Sequence, residues 1–168
     1  MQARIRQTCL FGVVALGLLV VLAGATLAQS SRPTNIGAWR LDLAKSKISA
    51  DMAPKSADFR VEAAGAGAKV TVDAAYADGT VRHWAYTANY DGKDYSITGN
   101  CQYGDFVAVT RVDANTTTHI YKKGETVTVT QTAVVSSDRK TMTITSTGKN
   151  ALGQAVNTLA VYFRLPMA

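Results

Sequence analysis

From residue 37 onward the chain alternates apolar and polar residues with period two, in runs closed by Gly, Asn or Asp. "ADFRVEA" (57–63) sets Phe59, Val61 and Ala63 on one face and Asp58, Arg60 and Glu62 on the other. "KVTVDAAY" (69–76) repeats the pattern beyond a tight "AGAG" turn. Ala77-Asp78-Gly79-Thr80 is a hairpin turn, because its glycine accepts a positive φ without cost. In "VRHWAYTANY" (81–90), Trp84, Tyr86 and Tyr90 share one face, with His83, Thr87 and Asn89 opposite. Asp91-Gly92 is a second turn, ahead of a brief "YSIT" (95–98). Strands are also expected at 37–43, 104–113, 116–123, 125–135, 140–148 and 155–164. The one helical stretch, 44–57, is held to a turn or two by Pro54.

Short turns and no long crossovers predict an all-β, antiparallel up-and-down meander. Closure would remove its two exposed edges, so a lipocalin-like β-barrel of about 8–10 strands with little helix is expected, a two-sheet sandwich being the alternative. No repeat of fixed period points to a propeller or solenoid.

The N-terminus has a different pattern. Arg4 and Arg6 precede an apolar run from Leu10 to Leu27, and Thr26-Leu27-Ala28 ends it. That order is expected of a secretory signal peptide over 1–28, cleaved after Ala28, with an uncleaved anchor as the alternative. The barrel domain is then 29–168, secreted or periplasmic, with any membrane contact through an uncleaved leader. It keeps a mild net charge of about +4, spread along the chain. No basic stripe interleaved with aromatics marks a nucleic-acid surface. Cys101 is the only cysteine left beyond the leader, so no internal disulfide is expected and the fold must hold by packing.

The Gly-x-Trp of "GAWRLD" (37–42) resembles the signature of the lipocalin and fatty-acid-binding-protein superfamily, the calycins. In those barrels the tryptophan plugs one end and a basic residue from the last strand packs over it. By that resemblance Gly37, Trp39 and Arg164, from the terminal "VYFR", make the barrel closure. "RVDANTTTHIYKKGE" and "SSDRKTMTIT" are similar to hairpins of the fatty-acid-binding branch. The Arg-x-Tyr that holds a ligand carboxylate there is reversed here, as Tyr162-x-Arg164, and carboxylate binding is not carried over.

Residues near strand centres supply the pocket candidates: Trp84, Tyr86, Phe106, Arg111, His119, Tyr121 and Tyr162. Each is open to a core or outer-face role as well. If the Val107–Val109 face of its strand is interior, Arg111 anchors an anionic head group; a salt bridge to Asp105 or Asp113 is the alternative. His83 and His119 show no metal-ligand spacing, no catalytic or cofactor motif is present, and neither metal, cofactor nor enzyme activity is expected. Rows of threonine, "TVTVTQT" and "TMTITST", suit a wet sheet face. Asn115 opens a glycosylation acceptor, "NTT". Two functions remain: binding of a small apolar or amphipathic ligand in a cavity of at least ~300 Å³, or an interaction protein of the cell envelope with a filled core.

Overall fold

A computed structural model describes residues 33–166; the expected leader lies outside them. Alternation becomes an all-antiparallel sheet of eleven strand segments wrapped into a nearly closed barrel. They are β1 (Gly37–Leu41), β2 (Ser56–Ala64), β3 (Gly67–Ala75), β4 (Val81–Asn89), β5 (Asp91–Ser96), β6 (Thr98–Gly99), β7 (Phe106–Arg111), β8 (Thr116–Lys123), β9 (Thr126–Val135), β10 (Thr141–Lys149) and β11 (Ala155–Arg164). Strands β1 to β4 and β7 to β11 each pair with their chain neighbours, β1 pairs with β11, β4 pairs with β6 and β5 pairs with β7.

The sheet's edges are β5 and β6, and these are two ends of one bent stretch of chain. Ser96 faces Phe106 of β7, Ile97 N–H still donates to Asp105 O at 2.7 Å, and Thr98 then faces Ala85 of β4. Residues 91–99 therefore bridge both edges and shorten the open ladder that an unclosed sheet would present. Gly99 makes the approach feasible: its φ is +90°, and a Cβ there would overlap the His83 carbonyl. The Asp91-Gly92 turn expected from the sequence is thus the start of a strand, with a register shift between Asp91 and Asp94.

The helical expectation shrinks to a single 3-10 turn, Leu43–Lys45, with Asp42 accepting from Lys45 N–H at its start. Strand β1 ends at Leu41 rather than 43 because this turn begins there. The inward faces carry Phe59 and Val61, Val70, Tyr86 and Ala88, Val107 and Val109, Tyr121, Val129 and Met142, all buried. Threonines 118, 132 and 145 fall in register across β8, β9 and β10 on the opposite face.

Candidate functional site

Register places two different ends on this barrel. At one end, the chain from Thr34 to Ile36 crosses beside Trp39, the start of β1. Trp39 is fully buried, its Nε1–H donates to Asn35 O at 2.9 Å, and its ring stacks on Phe59. Opposite it in register on β11, Arg164 lies 4.1 Å over the indole. The guanidinium also donates to the carbonyls of Arg139, Ile36 and Thr34 at 2.6–2.7 Å. Its place explains Gly37, where φ is +146° and a Cβ would collide with Arg164 Nη1. Beyond its charge, planar stacking and a fork of donors are both used, which lysine does not supply.

Beyond Trp39 the interior opens into a cavity of about 120 Å³. The β1–β2 loop (Ile48, Met52, Pro54) and the β6–β7 loop (Gln102, Tyr103) cover its far end. Its wall mixes aliphatic side chains with neutral polar ones. The Tyr86 hydroxyl lies 3.0 Å from His119 Nδ1, and Thr117 Oγ1 lies 3.0 Å from His119 Nε2. A neutral imidazole donates through one nitrogen and accepts through the other, so these two contacts satisfy it. Burial pushes His119 down to about 4 and Tyr103 up to about 12, and raises Tyr86, Tyr121 and Tyr162 too. What surface His119 keeps faces this interior. Gln131 donates to Ser146 at 3.1 Å across β9 and β10.

Two buried polar atoms on this wall have no protein partner: the Nε1 of Trp84 and the Oδ1 of Asn35. Trp84 and Asn35 are 6% and 9% exposed, so bulk water does not compensate them, and such groups call for a bound water or ligand. A void the size of one water, between Asn35, Tyr86, Tyr90 and His119, extends the cavity toward the closed end.

Of the seven pocket candidates, five line this cavity: Trp84, Tyr86, His119, Tyr121 and Tyr162. Phe106 does not. It sits on the outer face of β7, 37% exposed, because its neighbour Val107 takes the inward position. The valine face of β7 is interior, with Val107 and Val109 buried, yet Arg111 is not part of the cavity wall. Its guanidinium lies 4.3 Å over Tyr90, at the closed end. Asp105 is bonded to Lys123 and Asp113 to the Asn115 backbone N–H, so the alternative salt bridges are replaced as well. Asn35, Tyr76, Tyr103, Thr117, Gln131 and Ser146 line the cavity without having been singled out. Alternation with His119 and Tyr121 marks Thr117 as inward; nothing local marks Asn35 or Tyr103, which lie outside strands.

Among the described residues no group of three or more His, Cys, Asp or Glu could hold a metal ion. His83 pairs with Asp73 at 2.7 Å on the exposed surface. Cys101 is a half-buried free thiol whose pKa burial raises. Asn115 is exposed in the β7–β8 turn. The chain matches no protein-family model and no curated protein.

Proposed function

We propose that this chain is an exported, lipocalin-like carrier that holds a small amphipathic molecule inside its barrel and performs no covalent chemistry. The observation that carries the reading is the buried cavity whose wall leaves Trp84 Nε1 and Asn35 Oδ1 unanswered. Its volume, about 120 Å³, is below the ~300 Å³ expected of a drug-sized pocket, which narrows the ligand to about one ring. An apolar cavity of ~150 Å³ is known to take benzene. Ligand binding would rest on burial of the apolar body, about 25 cal/mol per Å², with the polar wall fixing orientation.

The proton inventory supports a binding role. A histidine depressed to about 4 is a weak base at neutral pH, and phenols raised by burial are weak acids. The Trp39–Arg164 stack above Gly37 supports the superfamily resemblance.

Native mass spectrometry of the mature protein, purified without detergent from its own host, tests the proposal. An additional mass that is lost on denaturation is expected. A bare chain mass would move weight to an interaction protein that uses its threonine-rich outer face.

A further inference from the structure

Among the described residues the cavity wall holds no lysine, arginine, aspartate or glutamate. Three arginines stack on aromatic rings instead of entering the wall: Arg164 over Trp39, Arg111 over Tyr90, and Arg82 behind Tyr76 of the wall, 5.5 Å from the ring centre. An ion entering this space would lose its hydration and meet no countercharge in the wall itself. Part of the polar interior is committed to itself, through Tyr86, His119 and Thr117 and through Gln131 and Ser146.

Two unpartnered atoms complement this neutral wall, and a third, the Tyr90 hydroxyl beside the small void at the closed end, can donate or accept. Trp84 Nε1–H is a donor, and Asn35 Oδ1 is an acceptor. Trp84 lies on β4 two residues from Tyr86 on the side of the covering loops, whereas Asn35 meets Tyr86 and His119 at the closed end. Two residues of strand rise about 7 Å, so the handles sit toward opposite ends of a ring-sized space. Building on the carrier reading, we propose that the cavity selects an uncharged, ring-sized molecule with a hydrogen-bond acceptor at its outer end and a donor at its inner end. The His119 pKa of about 4 agrees with this, since the wall stays neutral at physiological pH.

Three probes of nearly equal shape test charge: 4-hydroxybenzamide, which is neutral, 4-hydroxybenzoate and 4-hydroxybenzylammonium. Titration calorimetry on the purified protein at pH 7.5 should find the amide bound at least about tenfold more tightly than either ion, which meets no opposite charge in the wall. Trp84→Phe should weaken the amide about five- to tenfold by removing the donor. Toluene, which has no acceptor, should change by less than the amide does, so the amide-to-toluene affinity ratio is the readout, and toluene binding also reports that the variant is folded. Equal or tighter binding of an ion overturns the selectivity and leaves the carrier reading standing. An amide insensitive to Trp84→Phe overturns the placement of the acceptor. If no probe binds, the charge of a copurifying molecule decides: an uncharged one supports the proposal and an ionised one overturns it. Absence of both probe binding and any copurifying molecule removes the carrier reading and this inference together.

Discussion

The surroundings of the two tryptophans differ in what they leave unfinished. Around Trp39 the indole and its cap are answered: the indole N–H by Asn35 O, its face by Arg164, and the guanidinium by three carbonyls. Around Trp84 the indole is also buried, 6% exposed, yet its N–H has no acceptor. One end of the barrel is arranged for its own stability. The interior beside Trp84 accepts an uncompensated donor, which costs stability unless something from outside the chain occupies the cavity.

Truncation at the closed end has the largest expected effect. Trp39→Ala should destabilise by about 3–5 kcal/mol in chemical denaturation, since it removes a fully buried aromatic together with the platform under Arg164. A loss below about 1 kcal/mol would break the view that this end is the structural anchor.

Acid comes next. His119 has a folded pKa of about 4, against about 6.5 when exposed. The unfolded chain therefore binds more protons between these values, and stability falls as pH drops from 6.5 to 4. The contribution is fully present above 6.5 and its loss levels off below 4, at about 3 kcal/mol or less. Asp58, held below the usual carboxylate range by its hydrogen bond to Arg40, acts under pH 4 and outside this window. Thermal melts across pH 4–7 should show the slope, and His119→Gln should flatten it.

A smaller loss, about 1–3 kcal/mol, is expected for Arg164→Lys, which keeps the charge but not the fork of donors. Trp84→Phe should change ligand-free stability least, within about 1 kcal/mol, because deleting an unsatisfied donor offsets the lost apolar contact. Trp39→Phe, which strands the Asn35 carbonyl, should cost more than Trp84→Phe. If the two phenylalanine variants melt alike, the contrast between the regions fails.

Much of this architecture was legible. Alternation locates nearly all the strands, because a half-buried strand has to repeat every two residues. The brief strand expected at 95–98 starts earlier, at Asp91, and bends at Ile97. Asp91-Gly92 carries turn chemistry, and its use inside a strand depends on β7 being available across the barrel. Pocket residues on strands, such as Tyr86, His119 and Tyr121, could be found by counting alternate positions. Phe106 shows the limit of that count: alternation groups residues by face but does not say which face is inside.

The sequence by itself determined the period, the turns and the all-β class, since these follow from neighbours a few residues apart. Only the tertiary structure decided how residues 91–99 close the sheet, that Arg111 turns to Tyr90 instead of the cavity, and that Asn35 meets Trp39 and the cavity at once. Each of these depends on contacts between segments far apart in the chain, where burial and the satisfaction of polar groups are settled by the whole barrel rather than by local pattern.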